Sequence, residues 1–351
     1  MERDYLLEIG CEEIPAGFIG PALWNGSRLL EEALRKARLS FRKIDIQGTP
    51  RRLAFIVRGL SERQEARSET VLGPPKSVAF DAAGKPTKAA AGFAKSQGIA
   101  VESLSVFPTD RGEYLGFVRE EAARPAREVL PKLVTEFLPS IPFRKSMRWA
   151  DLDVRFARPV QWIVSLHGEE VIPFRYGNVD AGRKTYGHRF LAPGAIELLS
   201  PAAYEAGLAA ASVLVDLDAR KDRIRTGLRA LERETGMKWA EDEPLVETTA
   251  NLVEFPVVMA GRFEAKYLSL PREILVTSMR NNQKYFVFED ERGALRPEFA
   301  FVSNMSVPDP GIVIAGNERV LRARLSDAEF YYWDDLKMPL FDRAEALKKV
   351  L

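Results

Sequence analysis

Residues 309–333, DPGIVIAGNERVLRARLSDAEFYYW, predict a long helix that packs one face against the rest of the chain. Asp309 before Pro310 is a helix-start signal, because the carboxylate accepts first-turn amides and proline gives up an N–H that has no partner there. At about 100° per residue one apolar stripe forms along this helix, and it comprises Leu321, Leu325, Ala328 and Tyr332. This stripe predicts the buried side of the helix.

The same helix carries a dense set of arginines. Arg319 and Arg322 lie on a face beside the apolar stripe, whereas Arg324 points elsewhere. At most two of the three can therefore contact the same pair of phosphates unless the helix bends. Two interpretations stay open: an RNA-binding face, or a helix whose arginines pair with Asp327 and Glu329.

Several segments of the chain resemble one protein family. GNERVLRARLSDAEFYYW is similar to the G-N-E-[KR]-V-[LV]-R-x-R-L-x-D-A-x-F segment of the β subunit of bacterial two-chain glycyl-tRNA synthetase. RNNQKYFVF at 280–288 resembles the family's D-Q-K-Y-F motif, with Asn281 and Asn282 before Gln283. Three more segments agree in the same order along the chain: LLEIGCEEIPAGF at 6–18, TPRRLAFIV at 49–57 and YGHRF at 186–190. The resemblance spans nearly the whole chain.

Length and composition are those of an ordinary globular protein. The chain has 351 residues, of which 46% are hydrophobic and 29% charged, and its formal net charge is +1. This length predicts two or three domains, and a near-neutral protein can still carry a basic groove. Cys11 is the only cysteine, which excludes an intrachain disulfide and a cysteine-based zinc site. No apolar run reaches the roughly 18 residues of a membrane span, so we expect a cytoplasmic protein with no membrane partner.

The N-terminal pattern predicts an α+β fold. Residues 4–10 read as a strand, 21–39 as an amphipathic helix, and 44–47 and 53–58 as two further strands, with the helix on one face of the sheet. From Val154 onward the pattern becomes mostly β. The other predicted elements are helices at 87–97, 124–137, 216–235 and 271–281, a strand at 114–119, and a hairpin of 284–288 with 298–303.

Two basic segments are candidate nucleic-acid contacts. Arg51 and Arg52 follow Thr49-Pro50 and should lie at the mouth of a strand, as phosphate ligands or as a surface pair with acidic neighbours. The second segment, RKTYGHRF at 183–190, is the most basic turn of the chain, and it supplies Arg183, Lys184, His188 and Arg189.

His188 and His167 are the only histidines, and no cysteine or carboxylate stands near them at metal-ligand spacing. Three roles are open for His188: a general base, a contact to a phosphate or base edge, and a structural turn residue.

Three other segments are ambiguous. Arg280 and Lys284 flank a helix-to-strand junction. Two roles are open for them: contact with a ligand, or capping of the helix. Glu12 and Glu13 form a paired-carboxylate loop with two open roles. The loop either binds Mg²⁺ or a cationic group, or it is a structural turn or a subunit contact. IPFRKSMRW at 141–149 mixes basic and aromatic residues and predicts a nucleic-acid strand contact or a connector between domains. The GPPKS and GKPTK fragments do not fit a phosphate-binding loop.

The resemblance implies a division of labour between two chains. In this family a separate α subunit holds the active site that activates glycine with ATP and Mg²⁺, and the β subunit binds the tRNA in an α2β2 assembly. The present chain would then have no catalytic residue and would bind no cofactor or metal. Its partners would be the α subunit and the tRNA for glycine. The candidate tRNA contacts are Arg51, Arg52, Arg183, Lys184, His188, Arg189, Arg280, Lys284, Arg319, Arg322 and Arg324.

The resemblance also implies a domain order. Residues 1–145 are expected to form an N-terminal α+β region, sandwich-like, and 146–335 a mixed α/β domain similar to the B3/B4 domain of the phenylalanyl-tRNA synthetase β subunit. Residues 336–351 would be the first helix of a following helical domain of the HD type. That helix is expected to be cut in mid-course, since the β subunits of the family are about twice this long.

Two other functions remain as alternatives. The B3/B4 likeness allows an editing or deacylase-type hydrolase for mischarged tRNA, with His188, Glu254 or Asp327 positioning water. Glycine is the smallest amino acid, so its pocket excludes larger substrates sterically and the need for editing is weak. The other alternative is a scaffold that makes no RNA contact.

Overall fold

A computed structural model describes residues 2–81, 84–339 and 341–347, and these form a mixed α+β fold with several sheets and a helical C-terminal end. The strands in chain order are β1 (Glu2–Cys11), β2 (Lys43–Thr49), β3 (Arg52–Ser61), β4 (Arg67–Pro75), β5 (Ser105–Thr109), β6 (Gly112–Glu121), β7 (Val160–His167), β8 (Glu170–Val171), β9 (Arg175–Tyr176), β10 (Val179–Gly182), β11 (Lys184–Tyr186), β12 (Ala195–Glu197), β13 (Lys238–Trp239), β14 (Val257–Arg262), β15 (Phe286–Glu289) and β16 (Leu295–Ser303).

The helices are α1 (Ala16–Lys36), α2 (Lys76–Ala79), α3 (Lys88–Gln97), α4 (Ala126–Phe137), α5 (Tyr204–Ala210), α6 (Leu217–Thr235), α7 (Glu243–Ala250), α8 (Arg272–Thr277), α9 (Pro310–Leu336) and α10 (Ala344–Leu347). A π-helical turn, Ser278–Gln283, directly continues α8. Short 3₁₀ turns occupy Val101–Ser103, Leu138–Ser140, Pro201–Ala203 and Ala265–Ser269.

The central sheet has the order β2-β3-β1-β7-β10-β9, with β8 paired to β7. β1 lies in its middle and is antiparallel to both β3 and β7. Because side chains alternate along a strand, Leu7 and Ile9 of β1 enter the core under α1 and α4, whereas Leu6 enters a second core with Tyr204 and Leu208. Both faces of the sheet are therefore buried, which explains why β1 is apolar at consecutive positions.

The central sheet combines strands from both sides of the domain boundary predicted at 145/146. β1 and β3 come from the first predicted domain, and β7 and β10 come from the second. The chain between β3 and β7 contains a small antiparallel sheet, β4-β6-β5, against which α2 and α3 pack. The division into domains stays a prediction, and the pairing of β1 with β7 makes the N-terminal sheet continuous across it.

A second sheet, β13-β15-β16-β14, forms the other main layer. Ile224 and Leu228 of α6 pack on one face of this sheet, and Leu321 and Leu325 of α9 pack on the other. The predicted apolar stripe of α9 is confirmed, since Ala328 and Tyr332 are also partly buried. The predicted start is confirmed as well, because Asp309 is the N-cap and accepts a hydrogen bond from Gly311 N at 2.9 Å.

Most predicted elements are present, with shifted ends. α1 begins at Ala16 rather than at 21, because Pro15 takes the N-cap position and Pro21 is accommodated inside the helix. The helix predicted at 271–281 is α8 followed by the π-helical turn. The helix predicted at 336–351 lies partly outside the described residues, and within them α9 ends at Leu336 and α10 follows.

A close approach between β1 and β7 explains the glycine of the LLEIG segment. Gly10 pairs with Trp162, and a Cβ added to Gly10 would lie 1.9 Å from Cε2 of that indole. The indole thus lies directly over the backbone of β1. Only glycine leaves space for it.

We expect Gly10→Ala to lower the free energy of unfolding by about 2–3 kcal/mol, because the added methyl group must displace a buried indole or the strand. The measurement is urea unfolding followed by circular dichroism. Gly20→Ala is the matched control: a Cβ at Gly20, on the exposed side of α1, meets nothing within 4 Å. That change should stabilise the chain by about 0.5–1 kcal/mol, as alanine does within a helix. Equal stability of the Gly10 and Gly20 variants would contradict the clash.

Candidate nucleic-acid interface

Three of the family-like segments meet at one buried ion cluster. Arg52, at the start of β3, is fully buried. Its Nη1 donates hydrogen bonds to Glu8 Oε1 at 3.2 Å, to Thr185 Oγ1 at 3.3 Å and to the carbonyl oxygen of Tyr186 at 2.9 Å. The Thr185 hydroxyl also donates to Glu8 Oε1 at 2.9 Å. One guanidinium therefore joins β1, β3 and β11.

The other carboxylate of the cluster is Glu254, which lies between α7 and β14. Its Oε1 accepts hydrogen bonds from Thr49 Oγ1 at 2.6 Å and from Arg52 Nη2 at 3.0 Å. The backbone amides of Glu254 and Phe255 donate to Asn304 Oδ1 at 2.6 and 3.1 Å. Because Asn304 follows β16, the cluster connects the central sheet to the second sheet.

The two buried carboxyls differ in their pKa shifts. Burial raises the pKa of Glu8, and the charge of Arg52 offsets only part of that effect. Burial also acts to raise the pKa of Glu254, but Arg52, the Thr49 hydroxyl and Arg51 outweigh it and lower the pKa below the ordinary value. The surroundings of Glu254 therefore favour its ionised form, whereas those of Glu8 favour its protonated form.

Arg51 and Arg52 occupy different environments, and the expectation of a surface pair needs a correction. Arg52 cannot reach a phosphate on the surface, because its side chain is fully buried between two carboxylates. Arg51 retains slight exposure, lies over the Trp162 ring at 5.3 Å and donates to the carbonyl oxygen of Gly187 at 3.3 Å. The TPRR segment thus connects the sheet to the YGHRF turn.

The paired carboxylates of the N-terminal loop bind an arginine of the chain itself. Arg189 contacts Glu12 Oε2 at 2.6 Å and Glu13 Oε1 at 3.1 Å. The two acids therefore point toward the same cation, although adjacent residues of an extended strand would point apart. This contact agrees with the structural-turn interpretation of the loop, and it already occupies the Arg189 guanidinium.

His188 is a buried turn residue. Its Nδ1 accepts hydrogen bonds from the amides of Phe190 at 3.3 Å and Leu191 at 3.1 Å, and its side chain is fully buried. Among the described residues, no hydrogen bond joins His188 to Glu254 or Asp327. The geometry matches the structural role among the three that the sequence left open.

A second group of family-like residues holds α9 against the second sheet. The Tyr285 hydroxyl donates to Asn317 Oδ1 at 2.6 Å, and Asn317 Nδ2 donates to the carbonyl oxygen of Val313 at 2.8 Å. Glu318 Oε1 accepts from the amide of Arg262 at 2.8 Å. The Q-K-Y-F and G-N-E segments are therefore explained by helix-to-sheet contacts.

Arg280 and Lys284 agree with the capping interpretation. Arg280 pairs with Asp242, the N-cap residue of α7, through Nη2 and Oδ1 at 3.1 Å. Lys284 adopts a left-handed conformation with φ of 60° and donates from Nζ to the carbonyl oxygen of Asn281 at 2.7 Å. Both side chains thus stabilise helix ends.

The three arginines of α9 are exposed. Arg322 pairs through Nε with Glu264 Oε1 at 3.2 Å, rather than with Asp327 or Glu329. Within the described part of the chain, Arg319 and Arg324 make no ion pair or side-chain hydrogen bond, and neither does the exposed Lys184. Arg183 donates to the carbonyl oxygen of Glu169 at 3.1 Å. Of the candidate tRNA contacts, Arg319, Arg324 and Lys184 are therefore the ones most open to a ligand.

Sequence reasoning missed Arg220, a second buried arginine. It is fully buried in α6 and donates to the carbonyl oxygens of Leu214 at 2.6 Å, Gly48 at 2.7 Å and Ala250 at 2.8 Å. Its contact with Gly48 joins α6 to β2. The signal was available, because Arg220 falls at helical spacing on the stripe of Leu217, Ile224 and Leu228.

The described residues show neither a metal-binding cluster nor a membrane-spanning helix. They contain no group of three or more His, Cys, Asp and Glu side chains placed to hold a metal ion. None of their helices is both long and apolar enough to cross a bilayer.

The whole chain is similar to one family of proteins. A family model described as "Glycyl-tRNA synthetase beta subunit" matches residues 5–351. Relatives named glycine-tRNA ligase beta subunit are 46% identical in Trichlorobacter lovleyi, 45% in Citrifermentans bemidjiense and 47% in Myxococcus xanthus, each over 351 residues. These alignments cover 100% of this chain but 51%, 51% and 50% of the relatives. The chain spans about half their length.

We expect Arg52→Met to destabilise the fold by about 3–5 kcal/mol, because it leaves two buried carboxyls without their cation. The control is Arg28→Met on α1, whose ion pair with Glu32 is exposed and should contribute about 0.3–0.5 kcal/mol. Chemical denaturation of both variants measures the difference. A loss below 1 kcal/mol for Arg52→Met would show that the cluster does not hold the sheets together.

The opposite pKa shifts of Glu8 and Glu254 predict opposite pH trends. Folding favours protonated Glu8, so wild type loses stability as pH rises above the ordinary carboxyl pKa of 4.5. Glu8→Gln removes this loss and should gain stability relative to wild type with rising pH. Folding favours ionised Glu254, so wild type loses stability as pH falls below 4.5. The stability that Glu254→Gln loses relative to wild type should therefore become smaller as the pH falls. The free energy of unfolding of wild type and both variants, measured across about pH 3–7, tests these two trends. Variant curves that run parallel to the wild-type curve would refute them.

Proposed function

The chain belongs to the glycyl-tRNA synthetase β subunit family, and from this we propose that it is a non-catalytic, tRNA-binding part of a ligase that joins glycine to its tRNA. The relatives that it resembles are named as beta subunits. We therefore propose that an α subunit is its partner, in an α2β2 assembly, and that this partner uses ATP and Mg²⁺. The chain itself would bind neither, and it would act in the cytoplasm.

The observation that carries the RNA-binding proposal is the exposure of two arginines of α9 that lack an acidic partner among the described residues. Arg319 and Arg324 are exposed, and within the described residues neither has an acidic partner. They are separated by about 7.5 Å along the helix axis and by about 140° around it, since each residue adds 1.5 Å and about 100°. The two guanidinium groups can therefore contact phosphates on two different sides of α9.

The way α9 is held supports this role. Its buried side is fixed to the second sheet by Leu321 and Leu325 and by the Tyr285–Asn317 hydrogen bond. The arginines therefore project from a rigid helix rather than from a mobile loop. A rigid position reduces the conformational entropy that is lost when a ligand binds.

We also propose that the region of the second sheet serves acceptor-arm binding, in keeping with the expected B3/B4 likeness. No observation favours the hydrolase alternative. Glu254 is engaged by Thr49 and Arg52, and the Nδ1 of His188 accepts two backbone amides.

The test is binding of the chain to glycine tRNA across a salt series, with wild type and the Arg319→Ala/Arg324→Ala double variant. We expect wild-type affinity to fall steeply with salt, because phosphate contacts release counterions. The slope of log affinity against log salt should be shallower in the double variant by about one for each lost phosphate contact.

The matched control is Arg229→Ala/Arg233→Ala, which removes the same charge from an exposed side of α6. Because α6 and α9 pack on opposite faces of the second sheet, this variant should keep the wild-type slope. Equal slopes for all three proteins would place the RNA contacts away from α9, and absence of tRNA binding by wild type at low salt would overturn the proposed function.

A further inference from the structure

The central sheet contains a cavity of about 520 Å³ at the place where β10 separates from β7. The two strands are paired only at Ala181 with Ile163 and at Gly182 with Val164. Beyond these pairs, on the side of β10, the described residues provide no strand partner for Val160–Trp162. Because consecutive strand residues direct their N–H and C=O groups to alternate edges, part of this backbone faces the cavity.

A β-bulge shapes the wall of this cavity. Gly10 pairs with Trp162 and Cys11 with Val160, so Gln161 is an extra residue without a partner in β1. A bulge interrupts the ladder and re-aims a side chain, and bulges are common beside functional sites. Gln161 is exposed and lines the cavity. The irregularity of β7 therefore lies at the cavity wall.

The cavity combines unpaired polar groups with an apolar and aromatic wall. In the part of the chain that the structure describes, the side chains of Lys184, Gln161 and Asn178 make no hydrogen bond or ion pair. Trp162 and Tyr186 pack at 5.1 Å between ring centroids, and valines complete the apolar wall. The carboxylate at the rim, Asp180, lies 3.6 Å from Arg175. The only cation without a partner at this site, among the described residues, is Lys184.

We propose that this cavity binds one unpaired nucleotide. Lys184 would contact its phosphate, as a lysine ammonium does in many phosphate sites. The side-chain amides of Gln161 and Asn178 offer the donor and acceptor pairs that recognise base edges. The aromatic side chain of Tyr186 would contact the ring of the base. A volume of about 520 Å³ is within the usual range for small-molecule sites, about 300–1,000 Å³.

The nucleotide has two possible sources, a free nucleotide and the unpaired end of an RNA. The RNA case rests on the proposed function, whereas binding of a free nucleotide does not. The chemistry at the cavity is the same in both cases. The experiment therefore uses both kinds of probe.

Gly182 gives a direct way to fill the cavity. It lines the wall, and a Cβ added to it meets nothing within 4 Å. Gly182→Leu should therefore place its side chain in the cavity without a clash at Cβ. Gly92→Leu on α3 is the matched control, because a Cβ there also meets nothing within 4 Å. Lys88→Ala, at an exposed lysine of the same helix, is the control for Lys184→Ala.

For free nucleotides, calorimetry with AMP, GMP, CMP and UMP measures binding to wild type and to the four variants. We expect wild type to bind at least one of them. Lys184→Ala should weaken that binding about tenfold, since it removes a charged hydrogen bond, and Gly182→Leu should abolish it. Circular dichroism confirms that each variant is folded, and the two control variants should bind as wild type does.

For RNA, the probes are a blunt minihelix and the same minihelix with one unpaired 3′ nucleotide. We expect wild type to bind the minihelix with the unpaired nucleotide more tightly than the blunt one. In Gly182→Leu the affinity for the two minihelices should be equal. Loss of the α9 arginines would weaken binding of both RNAs to the same extent. Failure of the proposed function is therefore distinguishable from failure of this site. The inference is overturned if wild type binds no nucleotide at millimolar concentration and gains nothing from the overhang, or if Gly182→Leu and Lys184→Ala bind every probe as wild type does.

Discussion

The fold depends on one buried guanidinium, that of Arg52, held between Glu8 and Glu254. These three residues come from β1, β3 and the loop before β14, so the charge joins two sheets that are formed by distant parts of the chain. Removing charges from water costs several kcal/mol per ion, and the cluster offsets this cost with hydrogen bonds from Thr49 and Thr185. Such a group contributes little net stability over an apolar core, but any arrangement that separates its members is strongly disfavoured.

The cluster also explains why the family-like segments occur where they do. LLEIG supplies Glu8 and the glycine under Trp162, TPRR supplies Arg52, and the residues around YGHRF supply Thr185 and the turn that contacts Arg51. The Q-K-Y-F and G-N-E segments meet separately, through Tyr285 and Asn317. These motifs therefore maintain two contacts between parts of the fold, and the two proposed ligand sites lie on α9 and at the β7–β10 cavity.

Local signals in the sequence predicted much of the fold. Asp309 with Pro310 and the Leu321–Leu325 stripe gave the start and the buried side of α9, and Asp216 and Gly236 bounded α6. Partners across the chain were not predictable in this way, because pairing of β1 with β7 and of Arg52 with Glu254 depends on residues more than 100 positions apart. The burial of Arg52 was not predictable either, since an arginine in a charge-rich segment has the same local pattern whether it meets water or a carboxylate.

The central position of β1 has a consequence for synthesis of the protein. β1 ends at Cys11 and its partner β7 ends at His167, and a ribosome that adds about 5–20 residues per second needs on the order of 10 s or more to make the chain between them. During this time β1 has β3 as a neighbour but one edge and part of both faces exposed. Pairings of this sequence separation form slowly, so one edge of an apolar strand stays unpaired until β7 has been made.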